Sequence, residues 1–144
     1  MGNRTIGDCQ SAIETLEFEN RSLKTDMHRK EFFTKIVGVT FENGDGISRQ
    51  QILEEIADDI VHNGLMKLHV LRDNENPHDA NAIAVFDKEY RQIGFLSRDI
   101  ASQLAPMIDK QQIERMECEV TEVTGLGVDE NYGLNIRFTY WEKS

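Results

Sequence analysis

Three strand-like runs stand almost end to end in the middle of the chain: "LMKLHVL" at 65–71, "NAIAVF" at 81–86 and "QIGFL" at 92–96. Parallel neighbours would need crossover connections of about a dozen residues or more, usually a helix. The links here are too short for that, so these strands pair antiparallel. A doubly wound sheet with helices on both faces is thereby disfavoured.

The flanking segments fit the same plan. "FFTKIVGVTF", from Phe32, is rich in β-branched and aromatic residues and reads as a strand, with Val37, Val39 and Phe41 on one face. Gly38 lies between them, and a glycine inside a strand marks a bend or a close approach of another chain segment. "MECEVTEVTG" and "GLNIRFTYW" form a hairpin across "LGVDENY". In its second arm Leu134, Ile136, Phe138 and Tyr140 alternate with Asn135, Arg137, Thr139 and Trp141, a clean period of two.

Two helices interrupt the strands. Ser48 with Gln51 spells a capping box, and Ile52, Leu53, Ile56, Ile60 and Val61 give a helical stripe that stops at "HNG". Ser97 opens a second helix that runs through Leu104 and ends near Asp109. Upstream, residues 10 to 30 read as a helix capped by Asp8, with Ile13, Leu16, Leu23 and Met27 on one stripe and Asn20 in the same register. A lone Asn at a core position is a register device of paired helices. This stripe either packs on the following domain or forms the seam of a homodimer. The expected fold is α+β: a small, six-stranded, mostly antiparallel barrel or half-barrel over 32–144, two inserted helices, and a helical arm over 1–31.

Composition narrows the function. The 144 residues suit one domain. With 26 Asp and Glu against 16 Lys and Arg, the formal net charge is −10. A protein that coats a phosphate backbone carries a basic stripe, so any nucleic-acid site here must be small and local. No run approaches the ~18 apolar residues of a membrane span. The N-terminal stretch has no apolar signal region, and Ile6 stands where a myristoylation motif needs Ser or Thr. The cytosol is the default compartment. Cys9 and Cys118 then read as free thiols, Cys118 half-buried in a strand. The histidines His28, His62, His69 and His78 share no ligand spacing, so no metal and no cofactor is expected.

Catalytic motifs are also missing. There is no GxSxG, and "GLGVDENYG" lacks the GK[ST] of a phosphate loop. Asp73, Glu75 and Asp79 resemble half a calcium loop, but His78 occupies the position where that loop needs glycine.

"DNENPHDANAIAVF", residues 73–86, carries the densest turn chemistry. Pro77 fixes its own φ and pushes Asn76 toward an extended conformation. Asp79 and Asn81 can accept from backbone N–H groups a residue or two on. Turn-making accounts for Asn76, Pro77 and Asn81, and for Asp79 in part; it does not require His78.

In this stretch the chain resembles the HIRAN domains. The resemblance runs from about Phe33 to Trp141, through "VGVTF", "LHVLRDNENPHDANAIAVF", "IGFLSRDIASQLAPMID" and "NIRFTYW". The combined order, Asn-Pro-aromatic-Asp-x-Asn-Ala-Ile followed by Ile/Val-Gly-Tyr-Leu and a helix, is specific. The resemblance implies an OB/SH3-like β-barrel that binds and does not catalyse. In fork-remodelling helicases such a domain binds single-stranded DNA and holds a free 3′-hydroxyl end.

Carried over residue by residue, the resemblance makes Asp79 the acid that grips the hydroxyl, a charge-assisted acceptor. His78 stands at the stacking aromatic, Phe95 at the signature's tyrosine, Arg98 at a basic position early in the second helix, and Tyr132 at an aromatic of the last hairpin. The family's basic–aromatic pair at the end of the first strand falls on Thr34, Lys35 and Ile36. Arg98 is suited to a phosphate, Lys35 is a further phosphate candidate, and one stacking ring is missing. The rival is an acidic protein-interaction module, or a DNA mimic, that binds no DNA. What separates the two is where the acids lie relative to the face bearing Asp79, Arg98 and Tyr132.

Overall fold

The structure, a computed structural model, describes residues 28–125 and 130–143. Its elements run β1 (Arg29–Lys35), α1 (Arg49–Asn63), β2 (Lys67–Arg72), β3 (Ile83–Phe86), β4 (Gln92–Phe95), α2 (Arg98–Asp109), β5 (Ile113–Thr124) and β6 (Gly133–Glu142). The strands form one antiparallel six-stranded sheet in the order β1-β6-β5-β2-β3-β4. The sheet curls into a half-barrel, and its antiparallel pairing is what the short central links require.

The two ends of this strand order meet through the segment after β1. Ile36 still bonds to β6, its N–H donating to Leu134 O at 2.9 Å. One residue later the chain changes partner: Val37 and Phe95 exchange both backbone hydrogen bonds, each 2.9 Å. Gly94 permits the approach, because a Cβ there would run into the Val37 carbonyl and lie 2.6 Å from the Ile36 side chain. Gly38, at φ +73°, then turns the chain away. The first strand is therefore shorter than the sequence suggests. It ends at Lys35, and Val39 and Phe41 are not part of it.

Ladder partners also correct the start of this strand. Residues 10 to 30 read as helix, yet Arg29 and Lys30 are extended, paired with Trp141 and Tyr140. Pairing with a long partner strand overrides local helical preference. The rest of that expected helix, with its stripe and Asn20, lies outside the described residues.

The core sits between the curled sheet and the two helices. Phe138, Ile136 and Leu134 of β6 are fully buried with Ile83, Val85, Ile93 and Val120. From α1 come Ile52, Leu53 and Ile56, and from α2 Ala101 and Leu104. Each of the large aliphatic side chains contributes roughly 1.5–3 kcal/mol of burial. Val61, expected on the α1 stripe, is instead exposed in the helix's last turn. Cys118 is fully buried rather than half-buried. The alternation in β6 holds for Leu134, Ile136 and Phe138, but Trp141 on the other face is also covered. Arg115 lies 3.9 Å above its ring centroid and Arg29 5.9 Å away, a cation–π arrangement over the outer sheet face.

Both helix starts are capped as their sequences indicate. The Ser48 hydroxyl accepts from Gln51 N–H, and the Ser97 hydroxyl from Ile100 N–H. These caps fix where the first residues of each helix, Arg49 and Arg98, project.

Candidate functional site

A cleft of roughly 800 Å³ opens where the loop before β3 faces the segment after β1. One wall is the 73–82 loop, built from side-chain turns. Asn76 Oδ1 accepts from the N–H groups of His78 at 2.8 Å and Asp79 at 3.0 Å. Asp79 Oδ1 accepts from Asn81 N–H at 2.9 Å. Arg72 clamps the loop from below, donating to Ala80 O at 2.7 Å and Ala82 O at 3.1 Å. The carbonyl of His78 is held by Arg98 Nη2 at 3.2 Å. Every one of these bonds is local or reaches the neighbouring element, so the loop has a defined shape. Only one oxygen of Asp79 is used; Oδ2 makes no hydrogen bond to a described residue.

The opposite wall is Val37, Gly38, Phe41 and Glu42. Phe41 is 64% exposed and Val37 43% exposed, so both present apolar surface to the cleft. The floor is Phe95 with Arg49 over its ring, the guanidinium carbon 5.6 Å from the centroid. Gly38 is the point where these groups converge. A Cβ there would meet Arg49 Nη1 at 3.4 Å, Phe95 at 3.5 Å and Phe41 at 3.6 Å.

Four of the six residues singled out in the sequence share this cleft: His78, Asp79, Phe95 and Arg98. Two do not line it. Lys35 is exposed at the end of β1, opposite Asn135. Tyr132 is half-buried against the core, its backbone held by Gln50, which accepts from Tyr132 N–H at 2.6 Å and donates to Tyr132 O at 2.9 Å.

Phe41 and Arg49 are among the lining residues that were not anticipated. Phe41 supplies an exposed ring on the wall facing the loop, where the sequence reading left a ring missing. Arg49 is 7% exposed. Its Nε donates to Asn43 Oδ1 at 2.8 Å and its Nη1 to Gly38 O at 2.8 Å. Burial pulls its pKa down from the usual arginine value, but an arginine remains charged in either case. The sequence signal for Arg49 was its place directly after the Ser48 cap, which aims it back along the chain toward the strand.

Formal charges in the cleft balance. Glu42 and Asp79 oppose Arg49 and Arg98. The acids of α1 lie elsewhere: Glu54, Glu55, Asp58 and Asp59 line a different surface. Glu55 pairs with Arg91 at 2.9 Å and Asp59 with Lys88 at 3.1 Å. Among the described residues, no cluster of three or more His, Cys, Asp or Glu is arranged to hold a metal ion.

The HIRAN-domain family model matches residues 30–140, which span β1 and nearly all of β6.

The chain belongs to the HIRAN-domain family.

Among curated relatives, helicase-like transcription factor from rabbit (Oryctolagus cuniculus) is 27% identical over 84 residues, and the human protein 29% identical over 84 residues. Those stretches cover 58% of this chain and 8% of each relative, so this HIRAN chain corresponds to a small part of proteins many times its length. Among solved structures, the HIRAN domain of human HLTF superposes with a TM-score of 0.54 at 24% identity, covering 79% of this chain and 77% of that one. The same domain in its DNA-bound conformation gives 0.50 at 23% identity, covering 79% and 76%. A protein from Lactobacillus plantarum gives 0.55 at 18% identity, covering 80% of this chain and 99% of that one. At these identities the shared property is the HIRAN fold: six antiparallel strands in a curled half-barrel with two helices.

Proposed function

We propose that this HIRAN domain is a binding module for single-stranded DNA, that it takes a free 3′ end into the cleft between the 73–82 loop and Phe41, and that it performs no chemistry on it. The observation that carries this reading is the cleft's composition. An exposed aromatic ring and a carboxylate with one uncommitted oxygen line the same charge-balanced pocket. A base stacks on Phe41, a contact worth on the order of 1–3 kcal/mol. The terminal sugar hydroxyl donates to Asp79, and Arg98 lies at the rim for a phosphate. His78, exposed beside Asp79, offers a second stacking face. That human HLTF's HIRAN domain has a DNA-bound conformation supports the same kind of ligand.

The net charge of −10 does not oppose the proposal. The α1 acids are outside the cleft, so the local field differs from the global one. The acidic interaction module remains the rival outcome of the test. Short labelled oligonucleotides with 3′-hydroxyl or 3′-phosphate ends are titrated at low salt. Binding with preference for the hydroxyl is expected. Equal binding leaves a DNA module without end recognition, and no binding to either overturns the proposal.

A further inference from the structure

Arg49 and Asp87 are the buried charged side chains among the described residues. Asp87 is neutralised in place: Arg91 Nε donates to it at 2.8 Å, and the backbone N–H groups of Glu89 and Arg91 at 3.0 and 2.8 Å. Arg49 has no such partner. It makes no ion pair with any described residue; its two hydrogen bonds go to a neutral amide and a backbone carbonyl. Its Nη2 makes no hydrogen bond to a described residue at all. Desolvation disfavours a buried cation without a counter-charge, and an anion bound in the cleft would supply that missing partner. Glu42 and Asp79 line the same cleft, but neither forms an ion pair with the guanidinium within 4.0 Å.

The position of Arg49 indicates what the anion is. Its guanidinium and the Phe41 ring both border Gly38, and Arg49 lies over Phe95. A base lying on Phe41 therefore has Arg49 within one nucleotide's reach. The guanidinium is held rigidly by Asn43 and Gly38, so its free edge is oriented before any ligand arrives. A planar fork presented in this way suits phosphate oxygens better than a mobile lysine does.

We infer that Arg49 is a second phosphate-reading group of the cleft, beside Arg98 at the rim, taking a phosphodiester oxygen at one of the last two linkages of the bound strand. This rests on the single-stranded DNA reading above and adds a residue and a ligand atom to it. It also assigns the backbone contact to the buried Arg49 rather than to the exposed Lys35.

The test uses the full chain and ten-nucleotide strands ending in a 3′-hydroxyl. One strand is all phosphodiester; two others carry a neutral methylphosphonate at the last or the penultimate linkage. The parent protein is expected to lose about tenfold or more in affinity for one of the substituted strands. Arg49→Gln is expected to lose the discrimination at one of the two linkages, and Arg49→Lys to retain part of it there. Equal affinity of the parent for all three strands overturns the inference, as does a discrimination pattern left unchanged at both linkages in Arg49→Gln. Arg49 also ties Gly38 and Asn43, so the variant's fold is checked by its amide spectrum, and the parent comparison stands without it. If the parent binds no strand, the DNA reading fails separately. Inorganic phosphate is then titrated while the Arg49 Nε–H resonance is followed. A saturable shift keeps Arg49 as an anion site, and no shift overturns that too.

Discussion

Val37 and Phe95 exchange both of their backbone hydrogen bonds at 2.9 Å, and this single bridge joins the end of β1 to the far edge strand. It also builds the cleft, because Gly38, Phe41 and Glu42, just beyond it, line that cleft together with residues of the 73–82 loop.

The bridge tolerates no side chain at position 94. Gly94→Ala places a methyl group against the Val37 carbonyl and the Ile36 side chain. A loss of about 1–3 kcal/mol is expected from such overpacking, read as a fall in the urea midpoint. Gly46→Ala is the contrast. Its φ is +85° but the space around it is open, so only the backbone cost of about 1 kcal/mol applies. Equal losses in the two variants would show that the bridge is not the tight point.

Asp79 has a structural oxygen and an uncommitted one. Asp79→Ala removes the bond to Asn81 N–H and should cost about 1 kcal/mol of stability. Asp79→Asn keeps an acceptor in that place, so its melting should stay close to the parent's. The same variant should nonetheless lose preference for a 3′-hydroxyl over a 3′-phosphate, since a neutral amide is the weaker acceptor. Melting and end preference are measured on one preparation; unchanged preference leaves Asp79 as a turn residue alone.

Phe41 should behave as a binding residue with little part in the core. At 64% exposure its removal changes stability by about 0.5 kcal/mol or less. Loss of one stacking ring should weaken oligonucleotide binding by about 1–3 kcal/mol. A Phe41→Ala protein that melts normally and binds normally would remove the ring from the site.

Cys118 offers a test of the core. Burial pushes its thiol up to about 12 from an ordinary 9.0. The native thiol should therefore resist alkylation at pH 8 and react once urea unfolds the chain. Its raised pKa means the folded state holds the proton more tightly than the unfolded state. Its contribution to stability is then complete below about pH 9 and lost as pH rises toward about 12. The difference in urea midpoint between the parent and Cys118→Ala, followed from pH 8 to 11, should shrink in that direction. A constant difference would mean the thiol is not protonated by burial.

Much of this protein was legible because the information is local. Ser48 and Ser97 cap their helices through residues three positions on. The 73–82 loop is folded largely by side chains that reach two or three residues along the chain. Leu134, Ile136 and Phe138 face the core because strand geometry alternates. The short links between β2, β3 and β4 left antiparallel pairing as the economical topology, and His78, Asp79, Phe95 and Arg98 follow from motif positions on those elements.

The opposite wall of the cleft was decided by tertiary structure. Nothing local tells the chain to leave β6 after Ile36 and bond to β4 at Val37; that switch depends on Phe95 and Gly94 arriving from the far edge of the sheet. Reading the first strand as continuous to Phe41 made its end look like an ordinary sheet face and left the ring unplaced. Once Gly38 turns, Phe41 faces the loop and Arg49, aimed by its helix cap, is buried beneath it. Periodicity and turn chemistry act over a few residues, so the sequence alone determined the elements and one wall. The second wall is set by backbone hydrogen bonds between residues distant in the chain, which form only when the sheet curls closed.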